Sequence, residues 1–210
     1  MSQKENKNLK KHNVEQGTDE WFALRNEHPL TASNAQAIGN AGKGLETLVW
    51  GKLSEKYSTA DRDTYTNKDL ARGTELEPIA REMYELETGN KTEIVGFVTN
   101  KLYEKAGASP DAYSGEGLVE IKCFADTKHF QMVVDFKKSG TFKIESQYEW
   151  QMQQQMLITE KEWCDFVAYN PNFKQSLLIQ RVVVDKEKQK KLIEGIKKGR
   201  ALIKEIEKLL

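Results

Sequence analysis

Apolar positions along the chain change period several times, and those changes divide it into elements. Trp21, Phe22 and Leu24 follow Thr18, whose hydroxyl suits a helix N-cap, so a helix is expected from Thr18. A second is expected near Thr31-Ala-Ser-Asn. A third is expected from Gly44, where Leu45, Leu48, Val49 and Leu53 recur at helical spacing. Ser58–Asn67 is polar and reads as a loop. Lys68–Thr88 then carries apolar or small residues at 70, 71, 76, 79, 80, 83, 84 and 86 and stops at Gly89-Asn90, the pattern of one long helix. From there the period shortens: Glu93–Thr99, Leu102–Ser109 and Leu118–Phe124 read as three strands. Helices return over Asp126–Phe136 and Glu145–Thr159. Trp163–Tyr169 and Ser176–Val184 read as strands around the turn Asn170-Pro171-Asn172. The chain closes in an amphipathic helix with Leu192, Ile196, Ile203, Ile206 and Leu210 on one stripe. Together these predict one α/β domain over 13–210, a central mixed β-sheet flanked by helices, behind a basic segment, 1–12, expected to be disordered.

Composition narrows the classes. With 210 residues, 38% hydrophobic and 30% charged, the chain has the make-up of a globular enzyme. No run of 18 apolar residues predicts a membrane span, and MSQKENKNLKK has no apolar stretch of an export signal, so a cytosolic location is expected. The two cysteines, Cys123 and Cys164, sit in apolar strand-like segments; they read as reduced core residues and are too few for an iron–sulfur cluster, which takes about four thiolates. His12, His28 and His129 have no zinc-site spacing, and neither a phosphate-binding GxxxxGK[ST] loop nor a Gly-x-Ser-x-Gly elbow occurs. Net charge is zero but uneven: Met1–Lys11 has four lysines and one glutamate, and Asp185–Leu210 has nine Lys/Arg and five acids, leaving the middle acidic. Such a middle suits cations, although Lys-rich termini are commonly only solvated.

The candidate chemistry lies in SPDAYSGEGLVEIKCF, Ser109–Phe124. Alternation along the strand puts Val119, Ile121 and Cys123 on one face and Glu120 and Lys122 on the other. An Asp at one strand end and a Glu on the next can share a hard cation such as Mg²⁺, which prefers carboxylate oxygens, and a neighbouring Lys can orient water or neutralise a phosphate oxygen. Taken alone, a Glu–Lys pair is as readily a surface ion pair of little consequence. Glu77, on the long helix, is a candidate third carboxylate. Gln151 and Gln155 lie one helical turn apart in a Gln-rich helix and can face one site, or simply form a polar face.

Pro-Asp followed by Glu-x-Lys in an apolar strand is the signature of the PD-(D/E)xK superfamily. Further motifs occur with it in order: Trp21-x-x-x-Arg25, Thr31-Ala-Ser33, Gly73-x-x-x-Glu77-x-x-Ala-Arg81, Ser109-Pro-Asp111, Glu120-x-Lys122, Tyr148-x-x-Gln151-x-Gln153 and Phe166-x-x-Tyr-x-Pro171. In these the chain resembles the lambda-exonuclease/YqaJ family of viral recombination nucleases over Gln16–Val184. The resemblance implies a PD-(D/E)xK, restriction-endonuclease-like core. It also implies a 5′-to-3′ exonuclease that resects 5′-phosphorylated duplex DNA to 3′ overhangs. It assigns metal to Asp111, Glu120, the Ile121 carbonyl and Glu77, catalysis to Lys122 with Gln151 beside it, and the terminal 5′-phosphate to Arg25 and Ser33, the latter expected to open a helix whose free N–H groups favour an anion. Two Mg²⁺ ions, replaceable by Mn²⁺, a homotrimeric ring, a phage single-strand annealing protein as partner and the cytoplasm of a bacterial host follow from it, with no membrane. Where the family has Gly after Ser-Pro-Asp this chain has Ala112, which tolerates positive φ only at a cost. A PD-(D/E)xK endonuclease or a Cas4-like nuclease is the alternative; the missing cysteine cluster speaks against the second and the Arg25/Ser33 motif against the first. A catalytically dead DNA-binding scaffold is disfavoured because every acid and the lysine are present.

Overall fold

A computed structural model of the chain describes residues 7–60 and 68–210, the side chains of 68–71 excepted. The part of the Ser58–Asn67 loop beyond 60, and 1–6 of the N-terminal segment, lie outside the described residues. In order, the elements are β1 (Leu9–His12), α1 (Asp19–Glu27), β2 (Leu30–Thr31), a 3₁₀ turn (Ala32–Asn34), α2 (Ala35–Asn40), α3 (Lys43–Tyr57), α4 (Lys68–Thr88), β3 (Thr92–Glu93) and β4 (Phe97–Asn100). A second 3₁₀ turn (Lys101–Tyr103) precedes β5 (Ala106–Ala108), β6 (Ala112–Ser114), β7 (Gly117–Cys123), α5 (Asp126–Ser139), α6 (Ser146–Thr159), β8 (Trp163–Tyr169), β9 (Leu177–Val183) and α7 (Lys186–Glu207).

The sheet is two sheets, both mixed. One runs β1-β4-β5-β2 and the other β3-β6-β7-β8-β9. The expected strand Glu93–Thr99 divides between them, because Gly96 passes against backbone: a Cβ there would lie 1.9 Å from the Val14 carbonyl oxygen. The expected strand Leu102–Ser109 is partly a 3₁₀ turn, and left-handed Lys105 (φ 65) leads into β5. Leu9–His12, expected to be disordered, pairs antiparallel with β4. The short β6 went unseen because three residues give too little alternation to read; a turn at left-handed Gly115 (φ 56) folds it onto β7.

The middle of the large sheet is covered on both faces. Val119 and Ile121 of β7 pack with Ala80 and Tyr84 of α4, while Leu118 joins Met156, Ile158 and Phe166 on the other side. Helix α6 lies between the sheets and is buried at Trp150 and from Met152 to Thr159, with Gln151 half-buried. Its glutamines are therefore not a polar surface face. Gln153 donates to the Val183 carbonyl at 2.8 Å and accepts from the Asp185 N–H at 2.9 Å, while Gln154 donates to the Leu30 carbonyl at 2.7 Å. Buried amides have to find such partners, and here they join α6 to both sheets. Helix α4 is fixed by Tyr84, whose hydroxyl donates to the buried Asp165 carboxylate at 2.8 Å; Arg181 clamps Asp165 at 2.8 and 3.0 Å.

Helix α7 buries the expected stripe, Leu192, Ile196, Ile203 and Ile206, but Leu210 lies past its end and is exposed. Gly195 lets α7 approach α2, since a Cβ there would lie 1.8 Å from the Ile38 carbonyl oxygen. Gly195→Ala should therefore cost about 1–3 kcal/mol of unfolding free energy in urea titrations. The control Gly51→Ala, in α3 with nothing near its Cβ position, should stabilise by about 0.5–1 kcal/mol. Equal effects of the two would contradict this packing.

Candidate active site

The β6–β7 hairpin brings Asp111 beside the Glu120-x-Lys122 strand. Ala112 pairs with Val119, so Asp111 comes level with Glu120, and the Ile121 N–H donates to Asp111 Oδ2 at 2.6 Å. Ala112 is the first residue of β6 and does not take positive φ, so the absent glycine imposes no strain here.

Glu120 is fully buried and its carboxylate is held from three sides. Oε1 accepts from Gln151 Nε2 at 2.6 Å and from the Lys122 ammonium; Oε2 accepts from Gln155 Nε2 at 2.6 Å. The one-turn spacing of the two glutamines thus converges on one carboxylate. Lys122 keeps 26% of its side chain exposed, with Tyr148 beside it, the ammonium 5.5 Å from the ring centroid. Glu77, on the face of α4 toward the sheet, accepts from Arg81 at 3.4 Å. Glu77, Asp111, Ile121, Lys122 and Tyr148 line one cleft of about 600 Å³; Glu120 stands behind that wall.

The electrostatics follow from three carboxylates facing two cations. Burial, then the charges of Glu120 and Glu77, hold the Asp111 carboxyl well above its usual range. Burial also raises Glu77, although Arg81 and Lys122 pull it back. Burial alone would lower Lys122, but the charges of Glu120 and Asp111 outweigh it and keep the ammonium protonated. Burial, aided by Glu77, pushes the Cys123 thiol up to about 11, so it is no nucleophile.

Among the described residues no three His, Cys, Asp or Glu side chains form a ready-made metal-binding group. The donor chemistry nevertheless fits a hard divalent cation. Asp111 Oδ1 accepts no hydrogen bond from the described residues and Glu77 opens on the same cleft, so two carboxylates offer oxygens to one space. Release of Lys122 from Oε1 would open Glu120 to them.

The second set of predicted residues, Arg25 and Ser33, lies together at a separate pocket, which Arg25 lines and Ser33 does not. Arg25, in the last turn of α1, donates to Ser33 Oγ at 3.1 Å and Thr31 Oγ1 at 3.5 Å, with its guanidinium 4.3 Å from the centroid of the Trp21 ring. Arg25, Trp21, Thr31 and Lys52 line a cleft of about 530 Å³. Ser33 does not open a helix as expected; it lies in the 3₁₀ turn ahead of the six-residue α2, so side chains rather than a helix terminus make this pocket. Sequence reasoning missed Lys52, which carries no local signal.

Residues 20–162 match the family model of the YqaJ-like viral recombinase domain. The chain belongs to that family. No curated protein matches it. Among solved structures, the alkaline exonuclease LHK-Exo from Laribacter hongkongensis is 30% identical over 91% of this chain and 97% of its own, with a TM-score of 0.71. LHK-Exo in complex with dAMP matches at 30% identity over 92% of this chain and 100% of its own, with a TM-score of 0.67. A phage-related exonuclease from Haemophilus somnus 129PT, 18% identical over 84% of this chain and 96% of its own, has a TM-score of 0.57 and shares the fold. The YqaJ-like domain is thus a PD-(D/E)xK-type nuclease fold within a viral-recombinase, alkaline-exonuclease family. Among its described residues no helix is long and apolar enough to cross a membrane.

If the carboxylates of this domain hold a divalent cation, Mg²⁺ at about a hundredfold its Kd should raise Tm by about 5–10 °C in a thermal-shift assay. Asp111→Asn should abolish most of that shift. An unchanged shift in the variant would remove Asp111 from the ligands.

Proposed function

We propose that this chain is a divalent-metal-dependent 5′-to-3′ exonuclease that resects one strand of linear duplex DNA from 5′-phosphorylated ends. The observation that carries the reading is the shared cleft of Asp111, Glu77 and Lys122, with Glu120 gripped behind it. The dAMP bound by LHK-Exo, a nucleoside monophosphate, is in keeping with release of single nucleotides.

In the reaction, water bonds to phosphorus and the P–O3′ bond breaks. A 5′-mononucleotide leaves, and the shortened strand carries a new 5′-phosphate that can return to the Arg25 pocket. Mg²⁺, or Mn²⁺ in its place, held at up to two positions by Asp111, Glu77, Glu120 and the Ile121 carbonyl, would lower the pKa of the attacking water and offset charge on the phosphoryl oxygens. Gln151 and Gln155 keep the Glu120 carboxylate in place. Lys122 presents its ammonium at the cleft and donates to a phosphate oxygen or the attacking water. Arg25 and Ser33 hold the terminal phosphate by charge-assisted hydrogen bonds, which Lys in place of Arg would not reproduce. The reading extends to a homotrimeric ring, which would keep hold of a shortening duplex, and to handing the 3′ overhang to a single-strand annealing protein in a phage-infected bacterial cytoplasm.

The test is digestion of linear duplexes with 5′-phosphate, 5′-hydroxyl or covalently closed ends, with and without Mg²⁺. Degradation should require Mg²⁺, favour 5′-phosphate ends and spare closed circles; cutting of circles would favour an endonuclease, and no turnover a scaffold. Lys122→Ala and Glu120→Gln should each lower the rate at least about a hundredfold while the fold persists by circular dichroism. Arg25→Ala should erase most of the 5′-phosphate preference and barely change the slow rate on 5′-hydroxyl ends. Equal slowing on both ends would take Arg25 out of the pocket.

A further inference from the structure

One side chain spans the wall between the two clefts. The face of Trp21 carries the Arg25 guanidinium, and its edge points the other way: Nε1–H donates to Ser109 Oγ at 2.9 Å and to the Gly96 carbonyl at 3.2 Å. Only Pro110 separates Ser109 from Asp111, and its ring fixes φ, so movement at Ser109 passes to Asp111 with little slack. The corner is tied elsewhere too. Gln16 donates to the Pro110 carbonyl at 3.3 Å and to the Val95 carbonyl at 2.8 Å, and Asp111 is itself bonded to the Ile121 N–H. The indole is rigid, with two side-chain torsions, and serves a cation with its face and a hydroxyl with its edge.

We propose that Trp21 is a positioning residue that fixes the spacing between the Arg25 pocket and Asp111, and thereby how many nucleotides separate the bound 5′-phosphate from the phosphodiester that is cut. This rests on the reading of the Arg25 pocket as the 5′-phosphate site. With the terminal phosphate seated, the strand can be cut one nucleotide further along only if the pocket and the Ser109–Asp111 corner shift relative to each other. The Trp21–Ser109 bond opposes that shift. Phenylalanine at position 21 would keep a ring under Arg25 and lose the N–H; alanine at 109 would lose only the acceptor.

The experiment resolves by length the products that Trp21→Phe, Ser109→Ala and the double variant release from a 5′-phosphorylated linear duplex with Mg²⁺. The wild-type chain should release mononucleotides. Each single variant should raise the share of dinucleotide and longer products roughly tenfold, the scale of one lost hydrogen bond, and the double variant should add little because both changes remove the same bond. Single variants that release mononucleotides alone, slowed or not, overturn the inference, as does a double variant whose error multiplies the two single effects. Ser109→Ala decides the matter if Trp21→Phe fails to fold. A wild-type chain indifferent to 5′-phosphate overturns the pocket reading itself, and the inference with it. Mononucleotide-only variants that retain the preference overturn the spacing alone.

Discussion

A carboxylate with no exposure to water has to be neutralised and hydrogen-bonded, and Glu120 meets both demands within one turn of α6 and one step of its own strand. That requirement orders the surrounding structure. It fixes the rotation of α6, since Gln151 and Gln155 must both face β7. It draws the Lys122 ammonium back toward the strand. It also leaves Asp111 and Glu77 at the cleft, where burial first and neighbouring acid charge after it raise both carboxyls, and a divalent cation suits such a place.

The other glutamines of α6 show how much polar bonding holds this carboxylate in register. Gln153 reaches the end of β9 and the start of α7, and Gln154 reaches β2 in the smaller sheet. On the opposite face, the Tyr84–Asp165–Arg181 network fixes α4, two turns after Glu77, to β8 and β9. The acids of the cleft therefore hang from two independently anchored helices and one hairpin. Through Trp21 the hairpin is also tied to the Arg25 pocket, joining two sites whose residues are far apart in sequence.

Much of this was legible in the chain itself. Helical spacing located α3, α4, α6 and the buried stripe of α7, and alternation gave the sidedness of Glu120 and Lys122 correctly. Alternation says which way a side chain points, however, and not whether anything covers that side. The full burial of Glu120 and the buried glutamines were thus out of reach. Local pattern also failed where pairing is non-local: β1 is polar and exists because β4 offers it an edge, and β6 is three residues long. The division into two sheets falls at a glycine that passes close to the backbone at the end of β1. Nothing near Trp21 in sequence announces Ser109.

The cleft acids are expected to take up a cation as Lys122 gives up its hold on Glu120. Anomalous scattering from a crystal grown with Mn²⁺ tests this directly. The expected result is manganese bound by Asp111, Glu120 and the Ile121 carbonyl, with Gln155 still on Glu120 Oε2 and the Lys122 ammonium moved off Oε1. An intact Lys122–Glu120 pair, with no manganese at Asp111, would contradict it.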